Sequence, residues 1–279
     1  MSKYKSALPT LPKRGWFDKG DKGEEVKKLQ RALNWANDGT IVAKLNVDGI
    51  VGPLTIQAVS FFEEIQHLSI DGQFGKKCRA KIASMDLNGA TRACNWAVSV
   101  AKDNRFSYGT GKRAHRCGCY FCQTNTGPRK KNKERKGEPH VVKDSKGNGH
   151  TYEMTYCCNT FITAAYAHGA KDAKVLKLCK ACGAMGMKPK DWTSRNFKNL
   201  GRAKSVAYSK LQPGDVIIND GSGNSVANHV WMYIGDGKLI EATSSGGWGA
   251  KAIASKGGAK SKYTKYQKSS KCYVLRYTK

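Results

Sequence analysis

Apolar residues recur at spacings of three and four at Val26, Leu29 and Leu33, with charged residues between them, which predicts an amphipathic helix after Gly20 and Gly23. Glu24 and Glu25 fall in its first turn, where the helix dipole favours acids. A second helical face, Leu54, Ala58, Phe61, Phe62 and Ile65, follows Asp48-Gly49-Ile50-Val51-Gly52-Pro53. A short third helix, with Cys78 and Ile82 inside, is predicted after Asp71-Gly72-Gln73-Phe74-Gly75. The string Asp-Gly-x-x-Gly thus occurs twice, each time placing glycine where a tight turn before a helix needs positive φ. From Cys158 a fourth helical face appears in Phe161, Ile162, Ala165 and Tyr166, with polar Asn159 and Thr160 near its start. The period then changes. Leu211-Gln212-Pro213-Gly214-Asp215 leads into the strand Val216-Ile217-Ile218, and residues 227–243 read as a hairpin of two β-rich runs around Gly235-Asp236-Gly237. A final strand covers Cys272-Tyr273-Val274-Leu275-Arg276-Tyr277.

This pattern predicts an α+β protein of two domains, which suits a chain of 279 residues. Residues 1–15 read as a flexible basic lead, 16–86 as a three-helix bundle, 87–92 as a short linker and 93–279 as a second domain. In the second domain the helix beginning at Cys158 is expected to lie on an antiparallel sheet.

Charge divides the two halves. The net charge is +28, with +4 in residues 1–90 and +24 in residues 91–279. Such a field attracts polyanions: nucleic acid, anionic lipid or wall teichoic acid. No apolar run follows Met1-Ser2-Lys3-Tyr4-Lys5, so no export signal is expected, and no stretch approaches the roughly 18 apolar residues of a membrane span. Synthesis in a cytoplasm is the expectation, and ten cysteines there argue for thiols, metal ligands or a nucleophile before disulfides.

Cys158 is the cysteine best placed for chemistry. A helix N-terminus offers free N–H groups and a dipole that stabilise a thiolate; the bland reading is a small buried thiol. His229 and Glu241 are its candidate partners. A three-residue loop, Gly235-Asp236-Gly237, would pair Ile234 with Lys238 and Trp231 with Glu241, making Glu241 the diagonal neighbour of His229. A two-residue Asp-Gly loop would turn Glu241 to the other face. Asn228 and Thr243 are lesser candidates for the orienting role.

These segments resemble two families. Gly23, Val26, Leu29-Gln30, Leu33, Asp48-Gly49, Gly52-Pro53, Thr55, Ala58-Val59 and Phe61 match the pattern of the peptidoglycan-binding module of wall hydrolases, a three-helix bundle. Cys157 through Ile162, Leu211 to Asp215, and His229, Val230, Tyr233 and Gly235 resemble the NlpC-type family of papain-like cell-wall cysteine peptidases, with a looser likeness to the related amidases. That resemblance implies Cys158 as nucleophile, with Cys157 as the alternative, His229 as base and Glu241, twelve residues after the histidine, as the third polar residue. It also implies a substrate-binding role for Phe106, Tyr108, Asn159 and Trp231, since Phe106-Ser107-Tyr108-Gly109-Thr110 echoes the family's upstream motif. The sequence departs from the family at Cys157, where an acid is usual, at Asn159, where serine is usual, and at Phe106, where tyrosine is usual. The acid and the tyrosine help the family recognise the stem peptide's free amine, so the bond cleaved stays open: γ-D-glutamyl, muramoyl-L-alanine amide or cross-bridge.

Catalysis of this kind requires no cofactor. Cys119-Tyr120-Phe121-Cys122 and Cys179-Lys180-Ala181-Cys182 offer two thiolate pairs that can close a tetrahedral zinc site, remain free thiols, or serve as disulfides or redox pairs; metal analysis separates the first from the others. Cys78, Cys94 and Cys272 read as core residues. The expected partner is peptidoglycan, with anionic wall polymers such as teichoic acid drawn to the basic runs at 129–136 and 251–271; no nucleic-acid partner is expected. The combination suits a bacteriophage endolysin held in the host cytoplasm until the membrane is breached. Two other classes stand beside it. A zinc-bearing basic nucleic-acid-binding protein leaves the Cys158, His229 and Glu241 set unexplained, and a catalytically inactive wall-binding adhesin would bind walls without lysing them.

Overall fold

The chain is described by a computed structural model that covers residues 3–40, 42, 44–102, 106–108, 140–143, 149–152, 154–156, 158–175, 203–219, 229–241, 252–253 and 272–278, with side chains outside 102–160 and 252–253.

Glycine and proline punctuation sets the first helices. α1 (Glu24–Ala36) starts after Gly23, whose φ of 116° only glycine adopts readily, and buries Val26, Leu29, Leu33 and Ala36. α2 (Pro53–Ile65) carries proline at its first position, where no N–H is needed, and buries Thr55, Ala58, Val59, Phe62 and Ile65. Leu54, expected on that buried face, is exposed instead, because the helix turns its second position outward. A two-residue ladder of β1 (Trp16–Phe17) with β2 (Phe74–Gly75) leads into α3 (Lys76–Ser84). Leu29, Leu33, Phe62, Phe74, Ile82 and Leu87 form the fully buried centre.

Each Asp-Gly turn is clamped by a helix side chain. Gln30 accepts from Gly49 N–H (2.9 Å) and donates to Asp48 Oδ1 (2.7 Å). Glu63 accepts from Gly72 N–H (2.9 Å), and burial pushes its carboxyl above the usual range.

The amino-terminal lead is not free. Tyr4, Leu8 and Leu11 pack against this core, the Tyr4 and Trp35 rings lie 5.3 Å apart, and Arg79 Nε donates to Pro9 O at 3.0 Å. Its three apolar side chains override its basic composition. Residues 87–92 are likewise ordered chain: Leu87 is buried in the first core, and Gly89 opens α4 (Gly89–Lys102).

α4 centres the second core. Ala93, Trp96, Ala97 and Val100 meet Phe161 and Ala165 of α5 (Cys158–Ala164) and the π-helical turn that continues it (Ala165–Gly169). Gly169 approaches so closely that a Cβ there would lie 2.5 Å from Arg92 O. Beneath the helices lies an antiparallel sheet of six strands in the order β11-β10-β9-β8-β12-β7. These are β7 (Ala203–Val206), β8 (Val216–Asn219), β9 (His229–Gly235), β10 (Lys238–Ile240), β11 (Ala252–Ile253) and β12 (Cys272–Tyr277). Val216, Ile218, Val230, Met232, Ile234, Ile240 and Leu275 face the helices, while Ile217, Trp231, Leu239 and Val274 form a smaller cluster on the other side. Apart from the sheet, β3 (Phe106–Tyr108) pairs in parallel with β6 (Met154–Tyr156), and β4 (His140–Lys143) pairs with β5 (Gly149–Tyr152).

The bundle and the second core touch. Asp38 accepts from Arg92 Nε (2.9 Å) and Lys171 Nζ (2.8 Å), and Asn95 Nδ2 donates to Ala36 O (3.0 Å). Burial opposes the Asp38 charge, but Lys171 and Arg92 outweigh it and hold the carboxyl below its usual range. Ile65 and Phe61 of α2 reach the second core as well.

Candidate active site

The β9–β10 hairpin turns through two residues. Gly235 pairs with Lys238, so Asp236 (φ 48°) and Gly237 (φ 68°) form the turn, both in the left-handed region that such hairpins need. Of the two loop lengths the sequence left open, the two-residue Asp-Gly turn is the one formed. The register nevertheless shifts one residue later: Leu239 pairs with Tyr233 and Ile240 with Met232, leaving Ile234 as a β-bulge. The two-residue loop and the bulge together give the offset that the longer loop would have given. Continued by one residue, it sets Glu241 across from Trp231, on the face of His229.

On that face His229 Nε2 hydrogen-bonds Glu241 Oε2. A carboxylate only accepts, so Nε2 carries the proton, and in the neutral ring Nδ1 holds the basic lone pair. The Glu241 side chain is 7 % exposed and that of His229 21 %, so the pair is shielded while the ring keeps an open side. Trp231 stands its ring edge-on to His229, with centroids 4.7 Å apart. At 1 % exposure Trp231 is a core residue that walls the imidazole, which corrects the expectation that it meets substrate.

The turn before β8 supports this hairpin from the opposite side. Tyr233 N–H donates to Asp215 O (2.8 Å) and Gly214 N–H to Tyr233 O (2.7 Å). Buried Asp215 holds Arg276 of β12 through two hydrogen bonds, to Nε (2.9 Å) and Nη2 (2.8 Å), and this pairing raises the guanidinium pKa. Gly214 takes φ 92°, and a Cβ there would sit 2.5 Å from Ala90 Cβ of α4. Gly214→Ala is expected to cost about 2–3 kcal/mol through backbone strain and overpacking, read as a lower melting temperature.

α5 packs against β9. Tyr166, near the end of the α5–π segment, donates its hydroxyl to Gly214 O, beside Tyr233. Cys158 lies eight residues earlier, roughly 12 Å of helix, and His229 lies four residues before Tyr233, roughly 13 Å of strand. His229 shares the Trp231 face of β9, opposite the face of Val230 and Met232 that meets the helices. β3 pairs with the strand just before α5, with Tyr108 opposite Tyr156, two residues before Cys158.

Comparison with known proteins now adds to this geometry. The NlpC/P60 family model matches residues 148–268, which include Cys158, His229 and Glu241, and the peptidoglycan binding domain model matches residues 22–82. The chain joins a peptidoglycan-binding domain to an NlpC/P60 domain. No curated protein matches it. A solved structure of the peptidoglycan hydrolase RipB from Mycobacterium tuberculosis is similar at 14 % identity and a TM-score of 0.32, covering 90 % of this chain and 82 % of its own. The two domains together support a cell-wall hydrolase.

Within the NlpC/P60 domain and its surroundings, the remaining expected residues fall as follows. Asn159 lies in the first turn of α5, and Phe106 and Tyr108 lie on β3. Cys157, Cys119, Cys122, Cys179 and Cys182, as well as Asn228 and Thr243, lie outside the described residues; among those described, no group of His, Cys, Asp and Glu could hold a metal ion. Cys78 and Cys94 are buried, and burial pushes the thiols of Cys78, Cys94 and Cys272 up to about 12. Sequence reasoning missed the Asp215–Arg276 pair. Its signal was a single arginine amid the apolar residues of the last strand.

Proposed function

We propose that this chain is a peptidoglycan hydrolase that cleaves an amide bond of the stem peptide or cross-bridge by a Cys-His-Glu thiol mechanism. The observation that supports it most is the His229–Glu241 contact on a hairpin within the NlpC/P60 domain. In this reading the Cys158 thiol comes within reach of the His229 imidazole. His229 Nδ1 takes the thiol proton, and the thiolate sulfur attacks the amide carbonyl carbon. Nδ1–H then protonates the leaving nitrogen as the C–N bond breaks. Water, deprotonated by Nδ1, releases the acyl group as a carboxylate and restores the thiol. Glu241 holds Nε2–H and stabilises the imidazolium while it exists. Asn159, Phe106 and Tyr108 border the bound peptide in this reading.

The peptidoglycan-binding domain holds the enzyme on its polymer, and the +24 half adheres to anionic wall polymers such as teichoic acid. Purified walls treated with the full chain should release fragments bearing new amino or muramoyl carboxyl groups, and mass analysis of those fragments names the bond. New reducing sugar ends without new amines, or wall binding indifferent to salt, would count against these assignments. The adhesin reading predicts binding with no fragments at all.

A further inference from the structure

His67 occupies a position that helices commonly give to glycine. α2 closes with Leu68 N–H donating to Glu63 O (2.8 Å) and His67 N–H donating to Glu64 O (3.2 Å), the paired bonds of a Schellman end. His67 itself takes φ 57°, the left-handed region where a side chain is strained. Such an outlier persists when something else holds it.

Both ring nitrogens of His67 are engaged by the β9–β10 hairpin. Nε2 lies 3.1 Å from Ile234 O, and Nδ1 lies 3.2 Å from Lys238 Nζ. A carbonyl only accepts, so Nε2 carries the proton and donates, which leaves Nδ1 to accept from the ammonium. The two contacted residues are special ones. Ile234 is the bulged residue, and Lys238 stands at the point where the register shifts. Gly235 backs the ring, since a Cβ there would lie 3.8 Å from His67 Nε2. Without the bulge a two-residue turn would send Glu241 to the other face of the sheet, away from His229.

We propose that His67 is a positioning residue: through its imidazole the peptidoglycan-binding half clamps the bulge that keeps Glu241 in register with His229. The inference rests on the Cys158, His229 and Glu241 reading of the site. It makes the amino-terminal half a contributor to turnover as well as to binding, although His67 itself stands far along β9 from the reacting groups and acts only through the hairpin.

His67→Gly in the full chain tests this, because glycine suits the backbone and removes only the imidazole. Wall binding and melting temperature are expected to hold. The value of kcat is expected to fall about tenfold at unchanged KM, as a small misplacement of a catalytic group does. In a Cys158→Ala background, the NMR titration of the His229 imidazole is expected to shift. In a chain that hydrolyses walls, either readout left at its wild-type value overturns the proposal. Should the unaltered chain hydrolyse nothing, the catalytic reading has failed, and the His229 titration alone then decides whether the clamp exists. His67→Asn, tolerated in the same backbone region, repeats the measurement should the glycine chain fold poorly.

Discussion

Replacing Cys158 with alanine is expected to abolish wall hydrolysis, by on the order of 10⁴-fold or more, because in the proposed mechanism its thiolate supplies the attacking electron pair. Wall binding should survive, since residues 22–82 form their own core around Leu29, Leu33 and Phe62. Neighbouring Cys157 provides the control: Cys157→Ala should keep its activity. The thiols of Cys78, Cys94 and Cys272 are pushed up to about 12 and stay protonated at neutral pH, so a thiolate-selective reagent should spare them. Undiminished lysis by Cys158→Ala would end the thiol mechanism, and lysis lost in Cys157→Ala alone would move the nucleophile by one residue.

Glu241→Gln is the second large effect. It keeps the shape of a side chain that is 7 % exposed, so the fold should tolerate it. What disappears is the negative charge beside Nε2–H. The amide can still orient the ring through its oxygen, but it stabilises the imidazolium far less, and with its NH₂ group turned inward it selects the wrong tautomer. A fall in kcat of about 10²–10⁴-fold, with little change in KM, is expected by analogy with other triads. A variant within threefold of wild type would remove Glu241 from the mechanism.

Much of this arrangement was legible in the residues. The spacing of Val26, Leu29 and Leu33 gave α1, and the two Asp-Gly turns marked where α2 and α3 begin. The hairpin was legible as a hairpin, and the offset that sets Glu241 near His229 emerged although its cause did not. A bulge has no residue signature of its own at Ile234; it arises where a left-handed two-residue turn must be reconciled with side chains already committed to a face. The resemblance gave Trp231 a substrate-binding role, yet Ile217, Leu239 and Val274 cluster with it in the core. The lead read as flexible because it is basic, while Tyr4, Leu8 and Leu11 pack it against the bundle and Arg79 holds Pro9 O. His67 gave no signal beyond its place after a helical run, since its partners stand 167 and 171 residues away.

The position of β12 has a consequence for how the protein is made. Residues 272–277 slot between β8 and β7, so those two strands are neighbours of β12 and not of each other. A nascent chain that has reached only residue 271 holds β7 without a mate and β8 with a bare edge, and Asp215 waits for its arginine. Long-range pairing of this kind is slow to form. A ribosome-bound chain should therefore remain inert until residues 272–277 have emerged, so that the sheet ripens only when a strand made long after β7 and β8 slots between them.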